Sequence, residues 1–436
     1  NQDCIRCHAT HGIPQITDTG VETTVGELGI ACEACHGPGQ AHVEANSTPL
    51  RRYLEHLGTD DGDDTVVNPA RLDADRSAQV CGNCHGLAIF QKPEDMQSWM
   101  TEGYRFRPGD DLQEVRHVLQ VDYDDPVVKR VLESQPYALQ DHFWSDGMIR
   151  VGGREYAGLV RSACHIKGTL SCVSCHEMHV DPADERPIEE WLDDQLDDDA
   201  VGDGACTGCH ALQTRQGEDH THHPAGSTGA SCYGCHMPPT TWGLLKGIRQ
   251  HEIDSPSVAA SLETGRPNAC NFCHLDKTLA WTAEHLGAWT GDVQPELTAT
   301  EERVAASLIW TLQGEAGQRA LMAWAMGWED AREASGGNAW MAPWLGQLMA
   351  DPYDVVRLVA ERSLRRIDGY AATEYDFMAA PAELGGVSQA IFAQWSAQPP
   401  GRVEPELLLD SAGAIRLGEV GELAKLRDDR RINLLE

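Results

Sequence analysis

The stretch SACHIKGTLSCVSCHEMH, residues 162–179, decides the reading of this chain. At its centre, CVSCH at 172–176 sets two thiols three positions apart and follows the second with an imidazole. On one helical turn the thiols share a face, and the next residue reaches the same side. Five residues then suffice to fix a haem: the thiols add across its two vinyl groups and the histidine takes its iron. His179 lies three residues beyond His176, pointing away from that haem and toward a neighbour's iron.

The same pentapeptide recurs six more times. The others are CIRCH (Cys4, Cys7, His8), CEACH (Cys32, Cys35, His36), CGNCH (Cys81, Cys84, His85), CTGCH (Cys206, Cys209, His210), CYGCH (Cys232, Cys235, His236) and CNFCH (Cys270, Cys273, His274). With Cys172, Cys175 and His176 they use fourteen of fifteen cysteines, and none lies beyond 273. Zinc sites and disulfides also pair cysteines, but neither requires a trailing histidine. With 19 histidines in 436 residues, one follows a CxxC by accident roughly once in twenty. Seven successes in seven predict seven covalent haem c groups. The remaining thiol, Cys164, is read either as a packed cysteine or as part of a wide-spaced attachment with Cys172.

Seven haems over 274 residues leave roughly forty residues each, too few for an ordinary apolar core. The porphyrins are expected to serve as the core, with the chain between them largely coil. Twelve histidines remain for the far side of the irons. His11 and His179 extend their motifs to CxxCHxxH; His42 follows a Gly-Pro-Gly turn; His220, His222 and His223 crowd into HTHHP; His251 follows His236 by fifteen residues. These are the candidate distal ligands, and two imidazoles would leave an iron closed to substrate and suited to electron exchange. His56, His117, His142, His165 and His285 are read as packing or surface residues.

Formal net charge is −34, from 68 acidic against 34 basic residues, which argues against a nucleic-acid partner and fits either a protein kept soluble in salty surroundings or one that docks a basic redox protein. The runs DDGDD at 60–64 and DDQLDDD at 193–199 lack calcium-loop spacing and are read as solvated surface. No apolar run is long enough to span a bilayer, so no transmembrane segment is expected. Haem attachment implies a periplasmic or extracellular location, with a signal segment upstream of Asn1.

Beyond about residue 285 the pattern becomes amphipathic helix. Val304, Leu308 and Leu312 share a face, with Thr298 or Thr300 as N-cap and Gly314 as stop. Trp340, Trp344, Leu345 and Leu348 form a second face. DPYDVVRLVAERSLRRIDG at 351–369 predicts a helix capped by Asp351, opened by Pro352 and closed at Asp368–Gly369. The fold class is therefore mainly α with extensive coil: a heptahaem domain over 1–285 and an α-helical domain, read as HEAT-like, over 286–436. Trp242 and Trp281 are expected to pack and not to relay electrons.

GIACEACHGPGQAHV at 29–43, VVNPARLDADRSAQVCGNCH at 66–85, FWSDGMIRVGGREYAGL at 143–159, HTHHPAGSTGASCYGCHMP at 220–238 and GRPNACNFCHLDKTLAWTAEHL at 265–286 resemble bacterial multihaem cytochromes related to the cytochrome c554 group. The likeness extends to RDDRRINLLE at the end. The resemblance implies a secreted electron-transfer domain followed by HEAT-like or tetratricopeptide-like helices. The expected function is single-electron transport along closely spaced, mostly bis-histidine haems, with self-association into a polymeric wire as one extension. The alternative is an oxidoreductase acting on a small nitrogen or sulfur species at an open haem. No CxxCK is present, and nothing in the sequence places His165, Lys167 or Tyr156 over an iron, so no catalytic residue is assigned.

Overall fold

The computed structural model describes residues 4–17, 19–57, 63–181, 184–211, 216–399, 401–430 and 432–433. The chain is mainly helical, with long irregular stretches and, among the described residues, four small antiparallel sheets of two strands each. The longest of these pairings, Ala88–Phe90 with Arg116–Val118 and Thr241–Gly243 with Lys246–Ile248, have three residues a strand. Two compact units interleave along the sequence. The first takes Asn1–Val131, Gly153–Ala211 and His251–Ile253; the second takes Leu132–Gly152, Leu212–Gln250 and Asp254–Glu436. Five motifs thus fold with the first unit. The last two, at 232–236 and 270–274, fold with the tail helices, because Phe272 and Leu275 are fully buried in the tail's own core.

The first unit has one cluster of six buried apolar side chains: Ala78, Phe106, Leu112, Val118, Tyr156 and Leu159. It is built on helix Ala74–His85, which starts where the Asp73 carboxylate accepts from the Arg76 amide and ends with the third motif. Gly82, inside CGNCH, is needed because the Tyr156 ring lies on it; a methyl there would come within 2.6 Å of ring carbons. The second unit carries an ordinary protein core, with Leu308, Ala320, Met322, Leu345, Val356 and Leu364 fully buried.

The tail helices depart from expectation in two places. Thr298 does cap a helix, with Glu301 completing a reciprocal capping box, but that helix stops at Arg303 and a second runs Ala306–Leu312. Val304 and Ala305 are extended between them because the Ala305 amide donates to the Glu406 carbonyl and the Ala306 amide to Lys277. Tertiary hydrogen bonds override the periodic pattern. Asp351 is likewise not a helix cap: the helix spans Asp354–Leu364, and the Asp351 carboxylate instead grips the buried Arg319 guanidinium at 2.6 Å. The helix therefore closes before Asp368 and Gly369. Trp340, Trp344, Leu345 and Leu348 are all buried, as their spacing predicts, and Trp242 is a packed core residue.

Candidate haem-binding site

The third motif ends helix Ala74–His85, and the other six sit at short turns of helix. Cys4–His8, Cys32–His36, Cys232–His236 and Ala269–Cys273 are single-turn α-helices; Gly204–Thr207 begins the fifth motif and Cys172–Ser174 is a tighter 3-10 turn. No cysteine is in a disulfide. Among the described residues, no three His, Cys, Asp or Glu side chains converge as ligands of a small metal ion do.

The histidines are arranged in facing pairs. His36 and His179 have ring centres 6.0 Å apart; His176 and His251, 6.3 Å; His220 and His236, 6.3 Å; His223 and His274, 6.0 Å. Two metal–nitrogen bonds of about 2.0 Å, with about 1.1 Å from each nitrogen to its ring centre, come to about 6.2 Å. His222 stacks more closely on Trp289, at 4.0 Å. The four spacings match that sum, and the motif member of each pair comes from a different motif.

Local structure aims these rings. His36 Nδ1 hydrogen-bonds the Val67 carbonyl at 2.6 Å, His176 Nδ1 that of Asp194 at 2.9 Å and His236 Nδ1 that of Asp254 at 2.8 Å. His274 hydrogen-bonds the Ala334 carbonyl. A proton held on Nδ1 leaves Nε2 bare for metal. On the distal side, His223 Nδ1 bonds the Thr221 carbonyl at 2.6 Å and Gly229 packs flat on its ring. His251 is seated by Gly158, whose missing side chain admits the His251 backbone, and by the Ser162 hydroxyl donating to its carbonyl at 3.1 Å. Asn271, buried inside CNFCH, ties the seventh motif through Asn268, Thr282 and the Lys277 carbonyl. Burial lowers the pKa of His220 and of His274, favouring the neutral form that binds metal, and pushes the Cys270 and Cys273 thiols up to about 12.

Of the seven candidate distal ligands, His179, His220, His223 and His251 face a motif histidine. His11, His42 and His222 face none among the described residues. His11 Nε2 bonds Glu33 at 2.8 Å and His42 Nδ1 bonds Asp63 at 2.6 Å. His117 and His165 pair with Asp125 and Asp75, and His285 Nδ1 bonds the Trp281 carbonyl of its own helix. The His56 side chain, and residues 60–62 of the first acidic run, lie outside the described residues. In the second run the Asp197 carboxylate caps a short helix.

Attachment points crowd together. Cys7 and Cys84 lie side by side, as do Cys81 and Cys172, so the third motif adjoins the first and the fourth. In the second unit Cys235 lies within electrostatic reach of Cys270 and Cys273. The carbonyl partners of the proximal rings were missed by sequence reasoning, since any residue supplies a carbonyl. Glu155, whose Oε2 lies 2.9 Å from His85 Nδ1, was missed because 70 residues separate the two.

The model of the cytochrome c552 family matches residues 8–223. Among solved structures the chain resembles the outer cell wall cytochrome OcwA at 17% identity and a TM-score of 0.41, covering 83% of this chain and 75% of that one. No curated protein matches it.

Proposed function

From the premise that this chain is a multihaem c-type cytochrome with covalently bound haem c, we propose that it carries single electrons along seven closely spaced haems, at least four of them held by two histidines. The observation that carries this is the set of four imidazole pairs spaced for one iron each. Each iron, when bound, takes up and releases one electron. The protein's part is positional: paired cysteines tether, facing histidines close both axial positions, and backbone carbonyls hold the ring protons on Nδ1. Neighbouring sulfurs from different motifs support short distances between the centres.

The chain works outside the cytoplasm in this reading. Among the described residues no helix is long and apolar enough to cross a membrane. The charge of −34 suits a basic redox partner, and the helices beyond 285, read as HEAT-like, supply a docking face for it. End-to-end association of copies into a wire extends the same reading; sizing the native protein at rising concentration tests it.

Electron paramagnetic resonance of the ferric protein and carbon monoxide titration of the reduced protein test the core claim. At least four haems are expected to be low-spin and unreactive to the gas. His251→Ala is expected to convert one of them, adding about one equivalent of carbon monoxide bound per chain. Seven reactive haems in the native protein would overturn the proposal. A second reading, an oxidoreductase on a small nitrogen or sulfur species, draws on His8 and His85, which face no other imidazole among the described residues; turnover of nitrite, hydroxylamine or sulfite by the reduced protein would select it.

A further inference from the structure

His85 differs from four other motif histidines in the group its ring bonds. His36, His176, His236 and His274 bond backbone carbonyls. His85 bonds the Glu155 carboxylate at 2.9 Å. The carboxylate is itself fixed: its other oxygen accepts from the Gly153 amide at 2.7 Å, and its side chain is only 19% exposed at the start of helix Glu155–Leu159. A neutral carbonyl orients an imidazole. An anionic acceptor also draws its Nδ1 proton away, so the ring gains imidazolate character and gives more electron density to whatever metal Nε2 holds. That stabilises the ferric state over the ferrous and lowers the potential.

We propose that Glu155 is a positioning residue that sets the haem on Cys81 and Cys84 to a lower potential than the same haem would have with a carbonyl partner. The proposal rests on the haem reading of the third motif. It separates this site from the four carbonyl-held ones and makes it a rise in the energy profile of a passing electron, at the motif whose sulfurs lie beside those of two others. The effect belongs to the ligand's basicity and requires no change in haem count or fold.

The experiment is a spectroelectrochemical titration of the full haem-loaded protein beside Glu155→Gln and Glu155→Asp, after intact mass has counted the porphyrins. Gln keeps the shape and supplies only a neutral acceptor, like the carbonyls elsewhere. It is expected to raise one component by about tenfold in its reduction equilibrium, about 59 mV for one electron. The remaining components stay in place, and Asp, which keeps the charge, stays nearer to native. If Gln moves no component, moves all of them together, or moves its component no further than Asp does, Glu155 does not set this potential. A native chain with no porphyrin on Cys81 and Cys84 would instead sink the haem reading of that motif, and the proposal with it.

Discussion

A chain produced without haem attachment is expected to lose the first unit while keeping the tail helices. Under mild protease, cuts should accumulate within residues 4–131 and 153–211 at least about a hundredfold faster than within 299–424. The first unit's apolar cluster has six members, with scattered buried residues such as Trp99, Leu119, Val128 and Trp191 beside it, and a domain of that length is not expected to offset its backbone entropy with that much buried surface. The tail's core needs no cofactor to close, since Leu308, Met322, Leu345, Val356 and Leu364 bury one another completely. Peptide mapping of the digest, beside haem-loaded protein, reads the result. Equal protection of both regions would show that the cysteine-bearing segments carry their own stability, and the view of the porphyrins as their core would fail.

The second large effect lies in the tail. Asp351→Ala is expected to destabilise the second unit by roughly 3–5 kcal/mol, on the order of 10 °C in melting temperature, because it strands Arg319 as an unpaired buried cation. The two side chains are 2% and 3% exposed and meet at 2.6 and 3.1 Å, while the remaining guanidinium protons go to the Gly314 and Asp428 carbonyls. Replacing both partners, as Arg319→Met with Asp351→Ala, should recover part of the loss, since no lone charge is then buried. Calorimetry of the three variants forms the cycle, and a single substitution costing less than about 1 kcal/mol would mean water reaches the pair.

The sequence made the attachment chemistry readable because CxxCH is local: five consecutive residues hold the whole device, and each forms its turn wherever it lies. The other half of each site is not local. His179 was expected to serve a neighbouring haem, and it faces His36; His251 was weighed by its distance from His236, yet it faces His176. Partner choice depends on how the chain returns, which Gly158 and Ser162 settle for His251 without any motif of their own. The tail shows the same limit. Apolar spacing at 304, 308 and 312 reads as one helix, and only the hydrogen bonds of Ala305 and Ala306 to distant carbonyls reveal two. Asp351 before Pro352 has the look of a cap until Arg319, 32 residues upstream, claims it.

The facing imidazoles also impose a timetable on manufacture. The rings at 36, 176, 220 and 223 face partners at 179, 251, 236 and 274, and each span overlaps at least one other. As the polypeptide emerges, the site begun at His36 waits for His179, and the one begun at His176 waits until His251 has arrived. On the proposed reading, three of the four centres would close only after residue 235 had been made. Any product released early, for instance one ending near residue 240, would leave His176 without its partner however perfectly its earlier segments were made.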